Sequence, residues 1–355
     1  MSTAAVAAAR RRWLRWALAG PGIGALLGGL AGCAARVAAP APSGRDAQPT
    51  PPTDAEATVQ PVAPGVWMLP GLGGEPDARN LGRVANAGFI AGPQGLLSVD
   101  AGTSLLHGRA LLRAIGRTSP LPLQAVVITQ TKPDVLFGAP AFREAGVPIW
   151  MHQDAATLMA ARCQMCLDRL NREVGAAAMA GTTMYRPNEL LPGGRQLNVG
   201  GGRKVLLLFF GHSSGPGDLA VLDSATGVLF AGGLVEGRRI PNLHDADLAG
   251  WQGALQALQR RADAGHIRQV VPGHGPLSGP QAIGETAAYL NALEQQVRSL
   301  LAAGVSLAEL PARAALPAYA GWDGYPALHR RNAAELYLKL EQEGLRSDQG
   351  TAAGG

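Results

Sequence analysis

Cysteine and charge are scarce in this sequence: 355 residues contain three Cys, and Asp, Glu, Lys and Arg together make up only 16%. So few cysteines exclude the dense disulfide scaffolding of small secreted domains. A chain that is 47% hydrophobic can bury a core without it, as one large domain or two small ones. The apolar run from Trp16 to Leu30 is too short, and too broken by Gly and Pro, for a membrane span, which takes about 20 residues. No internal repeat is visible. Gly211-His212-Ser213-Ser214-Gly215 has the letters of a G-x-S-x-G elbow, but it runs into the strand-like "DLAVLD" where an elbow needs a helix, and adjacent Ser and His in sequence do not make a triad, so it gives no ground for a serine hydrolase. A basic block is missing too: the first 33 residues hold four of the 31 Lys and Arg and no acid, which leaves 27 basic against 26 acidic residues and a net charge of about +1 for the rest. That balance excludes nucleic acid as a partner.

What the N-terminus does contain is an Arg cluster (Arg10, Arg11, Arg12, Arg15), the apolar run, and Leu30-Ala31-Gly32-Cys33. This reads as an export signal over residues 1–33. Its end resembles a bacterial lipobox, with Cys33 the acylated residue, and its start resembles a twin-arginine signal. The resemblance implies a protein held on the periplasmic side of a bacterial membrane, attached only through that lipid. Residues 34–61, mostly Ala, Pro, Thr, Gln and Asp, bury too little to fold and read as a disordered tether.

After Val62 come short apolar runs closed by Gly, Pro, Asn or Asp: "GVWMLPG", "NAGFIAG", "GLLSVDAG", "QAVVITQ", "VPIWMH", "KVLLLFFG" and "RQVVPGHG". Each has strand length, and "LAVLDSATGVLFAG" reads as two strands around a turn at Asp223 to Gly227. Helical spacing recurs in "SLLHGRALLRAIGR", "APAFREAG", "HQDAATLMAARCQMCLDRLNREVG", "DLAGWQGALQALQRRADAG" and "PQAIGETAAYLNALEQQVRSLLAAG". Hairpin-paired strands followed by strands alternating with helices indicate a layered mixed α/β fold. The expected division is a domain over 62–280, a helical extension over 281–346 packed on it, and a disordered tail over 347–355.

Five segments in order carry a resemblance to the metallo-β-lactamase superfamily, from about Val66 to Leu277. "LLSVDAGTS" looks like the strand ending in an Asp-x-Gly turn, which places Asp100 beside the site. "ITQTKPDVLFGAPAF" is similar to the Thr-His-x-His-x-Asp-His-x-x-Gly segment, "GHSSGPGDLAVLD" to the third-His loop, "VLFAGGLV" to a strand normally ending Ala-Gly-Asp, and "VVPGHGP" to the last ligand loop. The family's fold is an αββα sandwich with metals held by loops at one edge. Within it, the chain resembles exported zinc metallohydrolase-like proteins associated with quinoprotein and sulfur-oxidation systems.

Zinc in such sites is held by imidazole or carboxylate groups, with an open position where bound water becomes a hydroxide nucleophile. Against the family pattern, Gln130 and Lys132 replace the alternating His pair, Val135 the next His, and Gly233 the bridging Asp. Asp134, His212 and His274 remain, although alignment on Asp218 puts Ser214 at the third-His position. The expectation is therefore a site that has lost its paired zinc ions and binds a small molecule or protein partner in the old cleft, with Lys132 either pairing Asp134 in place of the metal or pointing into solvent, and Val135 marking a drier pocket. The alternative is a hydrolase holding one zinc through Asp134, His212 and His274, aided by His244, with metal-bound water attacking an ester, lactone or amide. Cofactor content is thus none or one zinc.

Cys163 and Cys166 lie three residues apart in a helical pattern and share a face. They could form a redox or metal-binding pair, hence a redox accessory protein, or a local disulfide, or two buried thiols. Asp247 precedes a helix and suits an N-cap, and His152 closes a strand. His107, His266 and His329 read as surface or structural histidines.

Overall fold

A computed structural model describes residues 57–352. The apolar runs form two sheets. The first contains β1 (Gln60–Ala63), β2 (Val66–Leu69), β3 (Ala87–Ala91), β4 (Leu96–Val99), β5 (Leu123–Ile128), β6 (Ile149–His152) and β7 (Glu189–Leu191), side by side in chain order. The pairings from β1 to β4 are antiparallel and those from β4 to β7 parallel. Each parallel pairing needs a crossover, supplied by α1 (Leu105–Thr118), by α2 (Pro133–Leu136) with α3 (Ala139–Glu144), and by α4 (Gln153–Glu173). The second sheet holds β8 (Arg195–Asn198), β9 (Lys204–Phe209), β10 (Leu219–Asp223), β11 (Val228–Phe230) and β12 (Gln269–Val271), in the order β12-β11-β10-β9-β8. The expected hairpin is there, with Asp223 opposite Val228 across the β10–β11 turn.

Three apolar layers hold these elements. Phe89, Ile128, Phe142 and Met159 pack one face of the first sheet against its helices. Ile90, Val127, Leu207 and Val221 fill the space between the sheets. The far side of the second sheet is covered by α5 (Leu248–Asp263), α6 (Gln281–Ala302), α7 (Leu310–Arg313) and α8 (Arg330–Ala352), with Trp251, Tyr289 and Leu293 in the seam. The result is the αββα sandwich. Strands buried on both faces explain why "AVVI" in β5 and "LAVL" in β10 are unbroken apolar runs rather than alternating ones. Fully burying one large aliphatic or Phe side chain contributes about 1.5–3 kcal/mol.

Two boundaries differ from those expected. β1 starts at Gln60, because pairing with β2 orders residues whose composition alone reads as tether. α8 continues to Ala352, past residue 346, since helical hydrogen bonding propagates from a packed segment at little further cost. Cys33 and the rest of the N-terminal segments lie outside the described residues.

Candidate functional site

The loops at the carboxyl ends of β4, β5, β9, β11 and β12 meet at one edge of the two sheets, where open α/β sheets commonly bind ligands. Asp100 follows β4 in the left-handed region, φ 62°, a conformation Asp tolerates better than most residues. Its buried carboxylate accepts the Thr129 backbone N–H at 2.8 Å and the Thr129 hydroxyl at 2.9 Å. Burial pushes its pKa up to about 7 against the lowering effect of those bonds. Asp100 therefore anchors the loop after β5 and is not part of the cavity wall.

At the centre is a buried ion network. His274 Nε2 lies 2.6 Å from Asp134 Oδ2, and His274 Nδ1 lies 2.9 Å from Glu236 Oε2. Burial alone would favour the neutral imidazole, but the Glu236 and Asp134 carboxylates outweigh it and raise the pKa to about 10. Burial pushes Asp134 the opposite way; the His274 and Arg239 charges win and hold it below its ordinary value. Both ring nitrogens thus donate to carboxylates. Arg239, itself buried, is held by Glu75 and Asp323.

The loop carrying His274 is fixed from a distance. Asn86 Nδ2 donates to Pro272 O and Gly275 O, each at 2.9 Å, and the Asn86 backbone N–H donates to Gly273 O at 2.8 Å. A Cβ on Gly275 would stand 2.1 Å from Gly237 O, and its φ of 89° suits only glycine.

Beside the network lies a cavity of about 150 Å³, whose wall includes Gln130, Lys132, Asp134, Ser214, Gly233 and His274. Gln130 is 1% exposed, and neither its Nε2 nor its Oε1 has a partner. Its side chain occupies the room above Gly233, where a Cβ would come 2.1 Å from Gln130 Oε1. Ser214 Oγ donates to the buried Asp218 at 2.5 Å. Burial raises Asp218 to about 6, although Ser214 and the Lys132 charge oppose this.

The expected pairing of Lys132 with Asp134 is not formed. Asp134 is taken by His274, which is rigidly placed where Lys132 is long and flexible. Val135 does not dry the pocket; it packs into the core between the first sheet and its helices. His212 is not brought to Asp134 and His274: it is exposed, its Nε2 lies 2.6 Å from Asp245 O, and it lines a different cavity with Asp247 and Lys339. The two extra residues of "HSSGPGD" carry it out of reach. His244 is likewise exposed, beside Glu335 at 3.0 Å and Arg162 at 3.4 Å, and is not part of the central cavity wall. Among the described residues, no three His, Cys, Asp or Glu side chains are grouped to hold a metal.

Cys163 and Cys166 are free thiols, not a disulfide. The neighbouring Cys163 thiol lowers Cys166 to about 7, and Cys166 together with burial pushes Cys163 up, while Cys166 Sγ donates to Arg162 O at 3.8 Å. Cys166 lines the cavity; Cys163 is buried behind it. His152 caps α4 by accepting the Asp154 N–H, and Asp247 caps α5 by accepting that of Gly250.

Sequence reading missed Glu236, Arg239 and Asn86, and used Asp218 only to align the third-His loop. The available signal was the charged "EGRR" directly after the apolar "LFAGGLV", since charge beside a buried strand end needs a partner.

Residues 81–274 match the family model described as the metallo-beta-lactamase superfamily. Among solved structures, the metallo-beta-lactamase from Pontibacter korlensis is similar, with TM-score 0.54, 22% identity, and 66% of this chain and 98% of that chain covered. The FIM-1 metallo-beta-lactamase from Pseudomonas aeruginosa in its mono-zinc form is similar with TM-score 0.52, 21% identity and coverage of 68% and 97%. At these identities the likeness shows the fold alone. No curated protein matches the sequence.

Proposed function

Because this chain belongs to the metallo-beta-lactamase superfamily, we propose that it is a metallohydrolase-like protein in which an internal ion network stands where metal would be held, and which binds a ligand in its cleft without hydrolysing it. The observation that carries this reading is the double engagement of His274 by Asp134 and Glu236. A metal ligand must turn a nitrogen lone pair to the metal, and here both ring nitrogens of His274 are turned to carboxylates instead. The neighbouring positions support the same reading. Val135 and Gly233 have no donor atom, Lys132 brings a positive charge, and His212 faces another cavity. These residues do not fit a paired zinc centre, so no reaction step is derived through one. Fold by itself does not decide activity.

The test is elemental mass spectrometry of the protein purified without chelator or His-tag. Less than a tenth of an equivalent of any transition metal is expected, on the order of trace contamination. About one equivalent of zinc, lost in His274→Ala and Asp134→Ala, would overturn the reading in favour of a one-metal hydrolase. The proposal includes export and acylation at Cys33, supported by Leu30-Ala31-Gly32-Cys33 after the basic and apolar stretch. Cys33→Ser is expected to move the protein from the membrane fraction to the soluble fraction.

A further inference from the structure

The ion network leaves Gln130 unused. Burying one polar group without a partner costs about 1–3 kcal/mol, and here a donor and an acceptor at the tip of one carboxamide are both left bare. The same cavity holds cations outside any salt bridge, the nearest acid to act on Lys132 being Asp218, which is already bonded by Ser214. Its acids are engaged: Asp134 and Glu236 by His274, Glu75 by Arg239, and Glu173 by Arg169. Among the described residues Lys132 forms no ion pair, and Arg331 leaves its Nε buried without an acceptor in the same wall. The remaining wall is mostly apolar, with Leu170, Ile240, Trp251 and Leu328, interrupted by Ser214 and Asn242. A cavity of about 150 Å³ has the size that accepts a single ring.

We infer that this cavity binds a small organic carboxylate with a ring-sized apolar body and a hydroxyl or N–H next to the carboxylate. The carboxylate accepts from Lys132 and Gln130 Nε2, and the adjacent donor bonds Gln130 Oε1, so that one ligand satisfies both ends of the orphaned carboxamide and supplies the missing negative charge. The inference deepens the reading of the cleft as a binding site and rests on it.

The test uses the full chain and three probes: mandelate, phenylacetate, which lacks the hydroxyl, and mandelamide, which lacks the charge. Calorimetry is expected to show saturable mandelate binding, with the other two weaker by about tenfold or more, the factor that one lost polar contact of about 1.4 kcal/mol produces. Lys132→Met is expected to weaken mandelate by a similar factor. Gln130→Leu is expected to raise the unfolding temperature of the free protein, because it removes two buried unsatisfied atoms, and to abolish the preference for mandelate over phenylacetate. Absence of saturable mandelate binding, equal binding of mandelamide, or an undiminished preference in Gln130→Leu would each overturn the inference. Repeating the titration with EDTA separates the two proposals. Metal-bearing protein that keeps the preference after chelation retires the metal-free reading and retains this site; metal-free protein that binds no probe does the reverse.

Discussion

Replacing His274 with Leu removes the cation shared by Asp134 and Glu236 and leaves both carboxylates buried. The rise of the His274 pKa from 6.5 to about 10 corresponds, at 1.36 kcal/mol per unit, to about 5 kcal/mol of preference for the charged form in the fold. Deleting one partner of a buried pair costs about 3–5 kcal/mol, and Arg239, which also faces Asp134, softens the loss. A destabilisation of about 3–4 kcal/mol is expected, measured by urea unfolding at pH 6 with EDTA present for both proteins. The pH dependence has a definite sign. A folded pKa above the unfolded one gives stability that is complete below the unfolded value of about 6.5 and is lost as pH rises through about 10. Asp134, whose folded pKa is lowered, contributes above its unfolded value near 3.8 and loses that contribution as pH falls below it. The wild type should therefore weaken from pH 7 to 10 more steeply than His274→Leu, the two curves converging at the alkaline end. A difference below about 1 kcal/mol at pH 6, the size of an ordinary substitution, or parallel curves up to pH 10, would refute the ion-network account.

Further outcomes follow from neighbouring contacts. Asn86→Ala strips the donors from Pro272 O and Gly275 O and is expected to cost about 2 kcal/mol in denaturant unfolding; a cost below about 0.5 kcal/mol, that of an ordinary surface substitution, would show that Asn86 does not hold this loop. Asp100→Asn keeps an acceptor for Thr129 and suits the positive φ. Because burial raises Asp100 from 3.8 to about 7, the wild type gives up stability as pH rises between those values, so the variant should gain on it between pH 4 and 7; a difference independent of pH would count against the assignment. Alkylation of Cys166 by iodoacetamide, followed by peptide mass spectrometry, should show a rate midpoint near pH 7 with Cys163 lagging, and Cys163→Ala should move the midpoint upward. Equal rates at the two thiols would contradict the opposite shifts that each thiol imposes on the other.

The sequence by itself determined the layers and the site's address. Apolar runs of strand length, helical spacing between them and the turn at Asp223 to Gly227 are local signals, because backbone propensity and burial period act within a few residues. Loop motifs then placed Gln130, Lys132, Asp134, Gly233 and His274 at one edge, and the cavity there contains all five. Partnership was another matter. Asp134 lies 140 residues from His274, and Glu236 lies 38 from it; nothing near any of them in sequence marks the others. Lys132, the near neighbour, was the natural partner on paper and lost to a more rigid imidazole arriving from the second sheet. His212 stood among the three remaining candidate ligands although alignment on Asp218 put Ser214 in its place, and the longer loop before Asp218 turned it toward the Asp245 carbonyl. Local sequence sets which chemical groups each loop carries, whereas the packing of two sheets decides which of them meet, and only that packing makes His274 the shared counter-ion of two buried acids.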